Sequence, residues 1–165
     1  MFRFISTEKL KERAIINGNV DNKLLLPIID ECQEFYILPL LGTQLYNEIG
    51  SQLPSSLTVD NKKLLDDYII PCLVKYVQYE APIYLNYKFT NANVSTKNTD
   101  ESAPIDMATS SRLMDMFKDK AEWYGERIVR YLCANRSVYP LYCVSNNSDD
   151  IKPSDTAYDC GIYLD

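Results

Sequence analysis

Five cysteines (Cys32, Cys72, Cys133, Cys143 and Cys160) and two adjacent aspartate pairs (Asp66-Asp67 and Asp149-Asp150) are the first candidates for chemistry. A nucleophilic or metal-binding thiol must first become a thiolate, which takes a neighbouring base or cation. The chain has no histidine, so imidazole acid–base catalysis and the usual activator of a catalytic cysteine are both excluded. No Cys-x-x-Cys pair occurs, so a zinc site would have to gather at least four scattered thiols or rely on carboxylates alone. Neighbouring residues on a helix point about 100° apart, so Asp66 and Asp67 cannot share a substrate proton. Asp149-Asp150 falls in a polar linker and reads as solvated surface. The five glycines are scattered and form no phosphate-cradling loop. No catalytic residue, cofactor or metal site is expected.

What remains is a protein of contacts, and composition says which kind. Its 165 residues suit one domain, with 46% hydrophobic and 24% charged residues, the balance of an ordinary globular fold. The net charge of −6 is the wrong sign for gripping phosphate backbones through a broad basic surface. Lys9, Lys11, Arg13 and Lys62-Lys63 form small basic clusters, each balanced by nearby acids, and read as helix solvation. The longest apolar stretches are interrupted by Pro27 or Pro71 and fall far short of the roughly 20 residues that span a membrane. The first residues carry no signal-peptide core, so a cytosolic setting with reduced cysteines and no structural disulfide is expected.

The elements that must position any contact surface are helices. Ser6 or Thr7 can cap a short first helix with Leu10, Ala14 and Ile15 roughly on one side. Asp21 opens a second, where Leu25, Ile28, Ile29, Cys32, Phe35 and Tyr36 follow a buried stripe while Asp30, Glu31, Gln33 and Glu34 face water. In "FYILPLLGTQLYNEI", residues 35–49, Pro39 disfavours helix at Leu38, Gly42 can stop it in the left-handed conformation, and Thr43 can cap a third helix carrying Leu45, Tyr46 and Ile49. Residues 50–56 read as a loop. A long helix from Thr58 or Asp60 buries a stripe running from Leu64 through Cys72 and Tyr76 to Ile83, with bends expected at Pro71 and Pro82. A last helix, about Met107 to Asn135, aligns Leu113, Phe117, Ala121, Tyr124, Ile128 and Leu132, with Lys118/Glu122 and Glu126/Arg130 at salt-bridge spacing.

Between these two helices "FTNANVSTKNTDESAP", residues 89–104, reads as a polar loop. After Tyr139-Pro140 the helical period stops, and Tyr158, Cys160, Ile162 and Leu164 alternate as a strand would, needing a partner for its backbone. The expected fold is mainly α, an antiparallel bundle of about five helices over residues 1–140 with an extended arm at 141–165. No internal repeat is found. Tyrosine brings large contact area with few rotors, and the chain has thirteen. Tyr76 and Tyr124 fit core stripes. Tyr79, Tyr84, Tyr87, Tyr139, Tyr142, Tyr158 and Tyr163 fall off the stripes or in the tail; with Ile162 and Leu164 they are the candidate interface.

Several stretches together resemble a known family: "FISTEKLKERAIINGNVDNKLLLPIIDECQEFYILPLLGTQLYNEI", "YIIPCLVKYVQYEAPIY", "YGERIVRYLCANRSVYPLY" and "DDIKPSDTAYDCGIYL". They resemble the head-to-tail adaptor, or head-completion, proteins of tailed phages, most closely the portal-proximal ring protein of crAss-like phages of Bacteroidetes. That resemblance implies a helical protomer in a homo-oligomeric ring, commonly twelvefold, docked on the portal protein and stacked on downstream ring or tail proteins. Such a ring sits in the virion neck after assembly in the host cytoplasm. DNA would pass through its channel without specific binding, an acidic lumen repelling phosphate. The alternative is a monomeric or dimeric cytosolic binding module whose arm adds a strand to another protein's sheet.

Overall fold

The computed structural model describes residues 2–16, 18–89, 94–96, 107–142 and 151–153. Among them five helical rods form the expected mainly α bundle. The first is α1 (Thr7–Arg13), where the Ser6 hydroxyl accepts from the Lys9 amide. The second runs from α2 (Asn22–Cys32), capped by Asp21, through a π-helical turn (Gln33–Ile37) into α3 (Leu38–Leu41). The third is α4 (Thr43–Gln52). The fourth runs from α5 (Val59–Leu64), capped by Thr58, through a second π-helical turn (Leu65–Ile69) into α6 (Ile70–Asn86). The fifth is α7 (Met107–Ala134), followed by a 3-10 turn at Pro140–Tyr142.

The two π turns change the expected effect of the prolines. A proline in a helix clashes with the carbonyl four residues back. Here the Leu38 amide reaches back five residues to the Gln33 carbonyl, and the Ile70 amide does the same to Leu65. Each widened turn ends immediately before an aliphatic–Pro pair, so the chain passes Pro39 and Pro71 without ending the helix. Leu38 is therefore helical, contrary to expectation, and the corner falls at Gly42 alone (φ 75°). Thr43 is the first residue of α4 and not its cap; its amide and hydroxyl both face the Ile151 carbonyl, at 3.1 and 3.3 Å. The same device exposes a short repeat: "YILPLL" at 36–41 and "YIIPCL" at 68–73 occupy equivalent places in the two rods.

A π turn also adds a residue and so rotates the stripe that follows. Phe35, expected in the core, is 68% exposed, whereas Gln33, expected in water, is fully buried. Gln33 is put to use there: its Oε1 accepts from the Phe4 amide at 2.6 Å, and its Nε2 donates to the Tyr46 hydroxyl at 3.3 Å. These bonds strap the N-terminal segment across α4, where Phe2, Phe4 and Tyr46 form an aromatic triangle with centroids 5.0 to 5.4 Å apart. Gly50 lies under Phe2, and a Cβ there would run into the ring. Gly50 thus belongs to a helix that continues to Gln52, beyond the loop start expected at 50.

Most remaining stripes are as expected: Leu25, Ile28, Ile29, Leu45, Ile49, Leu64, Leu73, Ile128 and Leu132 are all essentially inaccessible. Three apolar positions are not. Ile15 lies past the end of α1 and is 86% exposed, while Ile83 and Leu113 lie toward the outer end of the α6–α7 pair. That pair is antiparallel, since Tyr68 meets Tyr131, Cys72 meets Ala121 and Lys75 meets Phe117. The polar loop expected at 89–104 is partly structured: β2 (Val94–Thr96) pairs antiparallel with β1 (Tyr87–Phe89), Tyr87 opposite Thr96. In such a two-stranded ladder even a polar sequence satisfies its backbone. The boundary expected at 140 falls inside the Pro140–Tyr142 turn, whose Tyr142 is buried.

Candidate interaction surfaces

Two tyrosine stacks brace the rods and fix the faces they leave outward. Tyr36, fourth in the first π turn, lies flat on Tyr76 of α6 with centroids 3.9 Å apart and an interplanar angle of 3°. Tyr68, fourth in the second π turn, lies on Tyr131 of α7 at 4.1 Å, with the Arg127 guanidinium 4.5 Å from its ring centre. Each such pair contributes roughly 0.5–1.5 kcal/mol beyond its burial. The repeated "Tyr-Ile-aliphatic-Pro" segment therefore does the same job twice, joining the second rod to the fourth and the fourth to the fifth.

The first face lies over α2 and α6. At 100° per residue, Leu24, Pro27 and Glu31 fall within about 60° of arc, and Phe35 continues the line through the π turn. Leu24, Pro27 and Phe35 are exposed. Tyr84 reaches across from α6 and donates its hydroxyl to Glu31, and Tyr36 donates to Glu80. The Glu31 bond, with a smaller share from burial, pushes the Tyr84 phenol up to about 12. Burial first, and Glu80 second, raise Tyr36 as well. The result is an apolar surface edged by Glu31, Glu34 and Glu80.

The second face is on α7. Leu113, Met116, Lys120, Trp123 and Arg127 fall within about 80° of arc. Leu113, Met116 and Trp123 are 42%, 40% and 58% exposed. The arc holds two cations and no carboxylate. Glu122 and Glu126 lie farther round, in pairs with Lys118 at 3.8 Å and Arg130 at 3.0 Å, as their spacing predicts. Nearby Lys75 sits over the Phe117 ring, its pKa lowered by burial and then by Lys120.

Of the residues expected at subunit contacts, Tyr84 lies on the first face, Tyr79 is half-buried on α6, and Tyr87 is in β1. Tyr139 and Tyr142 are a correction: each is 2% exposed and belongs to the core. The turn after α7 folds the chain back so that the Tyr139 hydroxyl donates to the Asp60 carbonyl at 2.9 Å and its ring meets Tyr131. Tyr158, Ile162, Tyr163 and Leu164, with the strand expected there, lie outside the described residues. Trp123, Met116 and Leu24 carry no expectation from the sequence and Phe35 is expected in the core, although the helical period alone places Trp123 and Met116 off the core stripe of α7.

Among the described residues the chemistry-bearing side chains have structural roles, while Asp149, Asp150, Cys143 and Cys160 lie outside them. Asp66 accepts from Lys9 at 3.0 Å, and the Asp67 carbonyl accepts from Arg127. Cys32 and Cys72 are fully buried free thiols whose pKa is raised, chiefly by burial. Among the described residues no group of three metal-ligating side chains gathers, and no helix is long and apolar enough to cross a membrane.

A family model described as a family of unknown function (DUF6712) matches residues 37–152. The chain belongs to this family. The DUF6712 match opens at the end of the first π turn and takes in the second π turn, the α6–α7 pair and the Ile151 contact at the Gly42 corner. No curated protein and no solved structure matches the chain.

Proposed function

We propose that this chain is a structural connector: a ring-forming subunit of a tailed-phage neck that docks on the portal protein, meets downstream ring or tail proteins, and extends the DNA channel. The observation that carries the reading is the pair of outward apolar faces, Leu24–Phe35 with Tyr84 and Leu113–Trp123, which stand exposed among the described residues of a bundle whose own core is closed. Contiguous apolar surface rimmed by charge marks contact with another protein. The resemblance of the chain's segments to head-to-tail adaptors supplies the kind of partner.

In this role the protein makes and breaks no bonds. Its acidity, −6 per copy, is multiplied around a ring and keeps a passing duplex from adhering to the wall. Reconstruction of the neck of a purified particle, or of the protein assembled on portal, tests the proposal. A ring of this chain next to the portal supports it. A solitary chain that ignores portal, or one absent from the neck, overturns it.

A further inference from the structure

Resting on that reading, we infer how the copies meet: the α7 face of one protomer seats on the α2–α6 face of the next copy. The occupant is a second copy because the two faces are complementary in charge as well as being apolar. The α7 arc sets Lys120 and Arg127 among Leu113, Met116 and Trp123, without a carboxylate. The α2–α6 face sets Glu31 and Glu34 beside Leu24, Phe35 and Tyr84, with Lys23 and the Arg3–Asp30 ion pair at its margin.

A face of one sign does not pack on itself, since bringing Lys120 against its own copy would bury like charges. That disfavours a two-fold contact and favours a head-to-tail one. The geometry permits it. Both α2 and α7 pack against α6 as separate neighbours, so a protomer can offer one face while receiving on the other. Repeating such a contact closes a ring when its rotation divides a full turn.

Trp123 and Phe35 are the anchors of this joint: each is a large ring that folding leaves outside and that a partner would desolvate. Lys120 against Glu34 sets register and orientation more than strength.

The test is charge reversal and its repair, read by native mass spectrometry and sedimentation on the full chain. Both substituted positions are exposed, so circular dichroism should show unchanged helicity and melting. Lys120→Glu alone and Glu34→Lys alone should each weaken assembly about tenfold, and the chain carrying both should recover to within about threefold of the original. Trp123→Asp should abolish assembly. If the single reversals assemble like the original, or the double change repairs nothing, this pairing of faces is wrong while the ring reading stands. A closed two-fold dimer through α7 likewise overturns it. If the unaltered chain assembles under no condition, with or without portal, the ring reading fails and the joint with it.

Discussion

A Cβ placed on Gly42 would lie 2.6 Å from Cδ of Pro153, so the corner between α3 and α4 is also the seat of the segment that returns from beyond α7. Gly42 has φ 75° and ψ 157°, a region closed to side chains, and Thr43 beside it holds the Ile151 carbonyl. Backbone conformation and close approach thus demand glycine independently.

Gly42→Ala should cost roughly 2–4 kcal/mol of unfolding free energy, from the backbone strain and the collision together. Denaturant titration measures it. Gly18→Ala is the control, because nothing lies within 4 Å of a Cβ there, and should change stability by less than about 0.5 kcal/mol. Equal effects at the two glycines would contradict this account of the corner.

Gln33→Leu should destabilise by about 1–3 kcal/mol, since it leaves the Phe4 amide buried without its acceptor. At this chain length that lowers the melting temperature by about 2–4 °C per kcal/mol. Limited proteolysis should release the first residues sooner in the variant. An unchanged melt with unchanged N-terminal protection would refute the strap.

Tyr84 gives a pH signature. A free phenol loses its proton near pH 10, whereas the bond to Glu31 and partial burial hold Tyr84 up to about 12. A raised folded pKa means the contribution to stability is complete below about pH 10 and disappears as pH climbs through about 12. In phenolate absorbance titrations, Tyr84→Phe should delete a late-titrating group and Glu31→Gln should bring it earlier. A difference curve centred near pH 10 in the otherwise native chain would show that the bond is not held.

Thiol labelling separates the cysteines. In a background with Cys143→Ser and Cys160→Ser, the half-buried Cys133 should react with a maleimide while Cys32 and Cys72, both 0% exposed, stay protected until the chain unfolds. Native-state labelling of Cys72 at the rate of Cys133 would mean that the α6–α7 seam opens more readily than its packing implies.

The periodicity of apolar residues was enough to find the five rods, the caps at Ser6, Asp21 and Thr58, and the outer salt bridges of α7, because each is a local property of a few turns. Part of what escaped depends on one kind of geometric insertion, made twice. The π turns at Gln33–Ile37 and Leu65–Ile69 shift phase, so a 3.6-residue period carried through them puts Phe35 inside and Gln33 outside, the reverse of what folds. For the same reason the sequence pattern points to a break at Pro39 and a bend at Pro71, where the helix in fact runs on. Tyr139 and Tyr142 were misjudged because their burial is tertiary: it comes from a turn that lays them on Asp60 and Cys133, residues far from a shared helical stripe. The α7 face was legible in the spacing of Met116 and Trp123 but not at Leu113, which the period puts on the core stripe, whereas the α2–α6 face needs the Tyr84–Glu31 contact between rods to become visible.

The mass of the intact assembly tests the central claim most directly. Native mass spectrometry of the chain, alone and mixed with portal, should give one closed multiple of the subunit mass that electron microscopy shows as a ring. A subunit mass that stays single at every concentration, with portal present or not, would contradict it.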